Sequence, residues 1–186
     1  MSIKQLVAEN LGPVLLGIFV NTYLYGLASY QYGAYFFTKF DDPLWIKSTV
    51  LSLFCLDTFH SAALIWLAWV YLIEGYNDPI TLMTPIWPYP FTIAVTALTA
   101  FLTQFFLSYR VYRLTKNKMW LTCITIATTG TLMLGIVCTV KAWKVKLATQ
   151  LIMIRPYLSV WLCLEMALDI IICGMYPHLV FLPSVL

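Results

Sequence analysis

The sequence predicts an all-α protein, a multi-pass transmembrane helical bundle of five spans. Three observations predict it. Of the 186 residues, 61% are apolar and 10% are charged, against about 25% charged in an ordinary soluble domain. The apolar residues come in long blocks, so a water-facing surface built from them would be one large greasy patch. Several blocks reach the roughly 20 residues needed to cross about 30 Å of hydrocarbon. A single transmembrane domain over residues 1–186 is expected, ending in a short apolar tail at 177–186.

The first span covers residues 11–37. Lys4 in front of it and the small Ala28 and Ser29 within it also fit a cleaved signal peptide. The apolar block runs on past that point, which favours a retained helix. The second span covers 43–74. Asp42 suits its N-cap, Pro43 its first turn and Gly75 its stop. It is longer than a membrane is thick, so it tilts or projects.

Residues 76–90 read as a loop. Asn77-Asp78-Pro79 signals a turn, and Pro85, Pro88 and Pro90 exclude a regular helix. Pro90 then stands at the start of the third span, which covers 91–114, Lys116-Asn117-Lys118 breaks the chain, and the fourth span covers 119–142. Residues 143–156 mix Lys144 and Lys146 with apolar positions and read as an interfacial connection. The fifth span covers 157–176. Trp45, Trp87, Trp120, Trp143 and Trp161 fall near these borders, where an indole buries its ring and keeps its N–H wet. Trp66 and Trp69 lie deeper in the second block.

Orientation follows Lys and Arg in short loops. The first loop carries Lys39 and Lys47, the second none, and the third region Arg110, Arg113, Lys116 and Lys118. The fourth carries Lys141, Lys144, Lys146 and Arg155 and opposes the third. The empty second loop favours placing the first and third loops in the cytosol. The partner that composition assigns is the lipid bilayer, of the plasma membrane or another endomembrane. No Lys/Arg run is dense enough for nucleic acid.

The five cysteines, Cys55, Cys123, Cys138, Cys163 and Cys173, lie inside apolar blocks without a CxxC pair and read as small buried thiols. No GxSxG, Walker loop, HExxH or dinucleotide fingerprint occurs, so no enzyme activity, cofactor or metal is assigned.

Charged groups inside a bilayer are expensive, so each needs a reason. Asp57 and His60 lie mid-block in the second span at i,i+3, on one face. Glu165 and Asp169 lie mid-block in the fifth at i,i+4. Two carboxyls side by side at low dielectric do not both ionise comfortably, so protonation or pairing of one is expected. Asn21 and Gln104 sit near the middle of the first and third spans. These six residues are candidates for one midplane polar layer, serving either as a ligand, ion or proton site or as interhelical glue. Asp57, His60, Glu165 and Asp169 are also of metal-ligand type, though nothing in their spacing demands a metal.

Arg110 and Arg113 close the third span. They either grip a cytosolic partner or snorkel to headgroups and complement the helix dipole. Thr22-xxx-Gly26 and Ser29-xxx-Gly33 would let a helix approach the first span closely. Thr122, Thr125, Thr128, Thr129 and Thr131 in the fourth can bond back to their own helix. His178, in the apolar tail, is read as incidental.

Several short stretches, in this order and spacing, resemble an uncharacterised family of fungal, mainly basidiomycete, seven-helix membrane proteins that end in a domain of unknown function. They are Leu56-Asp57-Thr58-Phe59-His60, Tyr76-Asn77-Asp78-Pro79 with Trp87, Gln104 through Leu114, and Trp161 through Ile172. The resemblance runs from the first span to about Tyr176. It implies a receptor-like layout with the N-terminus outside, and no established activity. The family continues beyond the fifth helix through a basic loop and two more helices, whereas Pro177–Leu186 is short and uncharged, so a shortened member is expected. Three functions follow as expectations: a receptor-like or signalling protein, a transporter or proton-coupled carrier, or a non-catalytic assembly protein.

Overall fold

A computed structural model describes residues 3–38, 42–75, 84–116, 118–145 and 148–181, with side chains in 12–38, 42–75, 84–113, 115–116, 118–145 and 153–174. Among the described residues all regular structure is helical. The order is α1 (Ile3–Phe37), α2 (Leu44–Trp69) with a π-helical turn (Val70–Glu74), α3 (Pro88–Thr115), α4 (Lys118–Lys144) and α5 (Ala148–Phe181). Five stretches are long and apolar enough to cross a membrane: Gly12–Phe37, Leu44–Glu74, Pro88–Arg113, Lys118–Lys144 and Met153–Gly174. The protein is therefore a multi-pass α-helical membrane protein. Only closed hydrogen-bonded elements such as these leave no backbone N–H or C=O unpaired in hydrocarbon.

Four boundaries differ from expectation. Helix α3 starts at Pro88 because the first turn has no intrahelical acceptors for its N–H groups, so Pro88 and Pro90 lose nothing there. The N-cap of α2 is Pro43, without a side-chain cap bond. Asp42 instead accepts the Tyr35 hydroxyl proton at 2.9 Å. The segment expected as an interfacial connection is largely the start of α5. Ile154 is buried there on the same face as Trp161, Glu165 and Ile172, so its apolar residues extend the helix's packing stripe. Helix α5 also runs on to Phe181, through the first half of the expected tail. Lys39, Asn77, Asp78, Pro79, Asn117 and Lys146 lie outside the described residues, as does the side chain of His178.

The chain divides into two compact units. The first is residues 1–92 with 145–149, and the second is residues 93–144 with 150–186. In the first, α1 meets α2 along a polar seam. Asn21 Nδ2 donates to Ser61 Oγ at 3.1 Å, the Tyr25 and Thr58 hydroxyls lie 3.0 Å apart, and Tyr32 donates to Asp57 Oδ2 at 2.9 Å. The Tyr32 ring packs on Phe54 with centroids 5.2 Å apart. The expected close approach at Gly26 and Gly33 does not occur. Among the described residues, no atom beyond the helix's own neighbouring backbone lies within 4 Å of a Cβ built on either. The space beside both glycines is open, and the Thr22 and Ser29 hydroxyls bond back to Ile18 and Tyr25 carbonyls.

In the second unit the close approach belongs to α4. Its buried residues, Ile124, Thr128, Thr131, Gly135, Cys138 and Ala142, recur at alternating steps of four and three, the seam of a left-handed helix pair. Most are small, which lets neighbouring helices come near. Ala97 of α3, Cys138 and Trp161 of α5 form the core, with Ile93, Leu132 and Leu158 packed around it. The α4 threonines bond back as expected: Thr122, Thr125 and Thr129 reach carbonyls four residues earlier, and Thr128 and Thr131 three.

Cys138 is buried as expected, but Cys55, Cys123, Cys163 and Cys173 are exposed on helix surfaces. A thiol is apolar enough to face lipid, so an apolar block does not place it inside. Trp161 likewise departs from the border role. It is 2% exposed, because α5 begins well before it. Trp45, Trp87, Trp120 and Trp143 do stand exposed near helix ends, and Trp66 and Trp69 are exposed within the second span.

Candidate functional site

Three of the six polar candidates converge in the second unit. Gln104 lies midway along α3 and is 1% exposed. Its amide Nε2 donates one hydrogen to Glu165 Oε2 at 2.7 Å and the other to Asp169 Oδ1 at 3.0 Å. The four-residue spacing on α5 puts both carboxyls on the side that faces this amide. Glu165 also accepts from Trp161 Nε1 at 3.2 Å, one turn earlier on the same helix. Ser108 donates to the Gln104 carbonyl at 2.6 Å. Gln104 is thus the one neutral group that both acids share.

The two acids differ in setting. Glu165 is 8% exposed, whereas Asp169 lies at the exposed edge of the stripe. Gln104 Oε1 is buried and has no hydrogen-bond partner. An amide that gives both hydrogens to carboxyl oxygens turns its own acceptor away from them, and an unmet buried acceptor costs about 1–3 kcal/mol.

The other three candidates lie in the first unit. Asn21 and Asp57 belong to the α1–α2 seam. Asp57 takes its proton donor from Tyr32 rather than from His60, and His60 Nδ1 is buried without a partner. Residues three apart on a helix share a side but diverge by about 60°, enough for two neighbours to claim them separately. Among the described residues no three His, Cys, Asp or Glu side chains come together as metal ligands.

Arg110 and Arg113 are exposed at the end of α3, and the Arg110 guanidinium lies 5.3 Å from the Phe106 ring centroid. Lys141, on the last turn of α4, sits 3.4 Å from the Tyr157 ring centroid, a cation–π contact that sequence reading missed. Trp161 was also missed as a site residue. Its signal was present, since Trp161, Glu165 and Asp169 recur every four residues.

Comparison with protein-family models, curated proteins and solved structures found no match to this chain.

Proposed function

We propose that this is a receptor-like, non-enzymatic membrane protein in which the Gln104–Glu165–Asp169 cluster is the recognition point for a small molecule. One observation carries the reading: a buried acid and an exposed acid share one buried amide. A tie between α3 and α5 needs one carboxyl. A second, exposed carboxyl near the centre of a span costs about 2.5–3.5 kcal/mol on insertion scales, so it calls for a role of its own. The resemblance to the fungal seven-helix family points the same way through its receptor-like layout. It also favours an outside N-terminus, with Arg110 and Arg113 at the cytosolic side of the plasma membrane or another endomembrane.

The test is a small-molecule screen on the detergent-purified chain, read by thermal unfolding. Compounds that stabilise the native chain should stabilise Glu165→Gln or Asp169→Asn less. Hits that act equally on all three proteins would remove the cluster from recognition. A second reading, a non-catalytic assembly protein, is favoured by the α1–α2 seam, where Asn21 and Asp57 are engaged by helix packing alone. It predicts that neutral replacements of Glu165 and Asp169 leave every binding property unchanged.

A further inference from the structure

We infer that the turn between α3 and α4 binds the phosphate headgroup of an anionic phospholipid, an inference independent of the acid cluster. It starts from an imbalance of charge. Between Asp78 and Glu165 the chain has no acidic residue. The second unit's only acids, Glu165 and Asp169, are engaged mid-span by Gln104 and Trp161. Yet four cations, Arg110, Arg113, Lys116 and Lys118, fall within nine residues at this turn. All four are exposed.

Local geometry gathers them. Arg110 and Arg113 are three residues apart on α3 and so are neighbours on its surface. Lys116 follows three residues later, its N–H still bonded to the Tyr112 carbonyl at 2.8 Å. Lys118 stands two residues further on, at most about 7.6 Å away between Cα atoms. The Arg110 guanidinium lies 5.3 Å from the Phe106 ring centroid. A ring under its face leaves its N–H edge for the forked bonds that a phosphate accepts. The helix ends do not cancel this charge. The C-terminus of α3 offers roughly half an elementary negative charge, and the N-terminus of α4 roughly the same in positive.

Depth selects a lipid over a soluble anion or an acidic protein. One span closes at Arg113 and the next opens at Lys118, which sets the four cations at the headgroup layer. Met119 is 68% exposed and Trp120 45% exposed beside them, so apolar surface borders the charge. A phospholipid answers both, its phosphate meeting the cations and its chains covering the apolar side chains. Each Lys or Arg held at such a surface strengthens anionic-lipid binding about fivefold.

Dioleoyl phosphatidic acid is the probe, titrated into detergent micelles that hold the native chain, with unfolding temperature as the readout. Dioleoyl phosphatidylcholine carries the same chains without net charge. Sodium phosphate, at matched ionic strength, carries the anion without the chains. Phosphatidic acid should raise the unfolding temperature in a saturable way, and neither control should match it. Arg113→Gln should raise the half-saturating lipid fraction about fivefold, and Arg110→Gln added to it about fivefold more. Lys144→Gln removes one charge at the far end of α4 and should leave that fraction unchanged. Should the double variant fail to fold, the comparison of lipids on the native chain still decides. Equal shifts from the two lipids, or none from either, overturn the inference. So does sodium phosphate matching phosphatidic acid, or an equal loss from Arg113→Gln and Lys144→Gln. A poly-glutamate peptide that stabilises the native chain where phosphatidic acid does not would assign the surface to an acidic protein and overturn it as well.

Discussion

The indole of Trp161 occupies the space a side chain on Gly135 would need. A Cβ on Gly135 would lie 3.1 Å from the Cε2 and Cζ2 atoms of Trp161 and 2.6 Å from the Ala97 Cβ. Three helices of the second unit meet at this point, and the indole held there carries the N–H that reaches Glu165.

Gly135→Ala should therefore destabilise the fold by about 1–3 kcal/mol, the usual cost of overpacking. The obstacle nearest the new methyl is another methyl, so Ala97→Gly added to Gly135→Ala should recover part of the loss. Thermal unfolding in detergent, with both single variants and the pair, measures it. Equal stability of Gly135→Ala and the native chain would count against the close approach.

Gln104→Leu removes the shared donor from both acids and should cost about 1–3 kcal/mol, the membrane value for two interhelical hydrogen bonds. Adding Glu165→Gln and Asp169→Asn to Gln104→Leu should restore part of that stability, because the stranded groups are then neutral. Additive losses across this series would show that the three side chains do not act together.

Tyr32→Phe deletes the hydroxyl that donates to Asp57. Hydrogen bonds to charged groups in water-soluble proteins are worth about 1.5–3 kcal/mol, but interhelical bonds in membranes average about 0.6. The membrane value should govern, so a loss of about 0.5–1.5 kcal/mol is expected. The double variant with Asp57→Asn should lose less than the two single losses combined, measured as a double-mutant cycle.

Lys116 adopts φ 53°, the left-handed region, at the break between α3 and α4. Its N–H reaches the Tyr112 carbonyl at 2.8 Å and finishes the helix. This conformation costs an L-residue about 1–2 kcal/mol and glycine nothing. Lys116→Gly should raise stability by about 0.5–1 kcal/mol. Lys116→Val, branched at Cβ, should lower it. Unfolding midpoints of the two variants should fall on opposite sides of the native value.

The spans were legible in the sequence because a bilayer asks for length and greasiness, and both can be read along a chain. Gln104, Glu165 and Asp169 were legible as candidates for the same reason: polar groups stand out in such blocks. Their mutual bonds were not legible, because which face of α3 meets α5 depends on how side chains of different size interlock. The small α4 stripe around Gly135 settles that packing, and sequence reading looked instead to Gly26 and Gly33, which face open space. Pro88 misled because the same residue that breaks a helix interior is harmless in its first turn. His60 shows the limit of face arguments, since its neighbour Asp57 is taken by Tyr32.

The surface position of four thiols has a practical consequence. Cys163 and Cys173 stand ten residues apart on α5, about 15 Å along its axis, and Cys55 and Cys123 mark α2 and α4. A nitroxide or maleimide placed on these native sulfurs reads immersion depth helix by helix, with no engineered residue. Cys138 stays silent until its shelter opens, so the chain carries both its own depth gauge and its own sensor of unfolding.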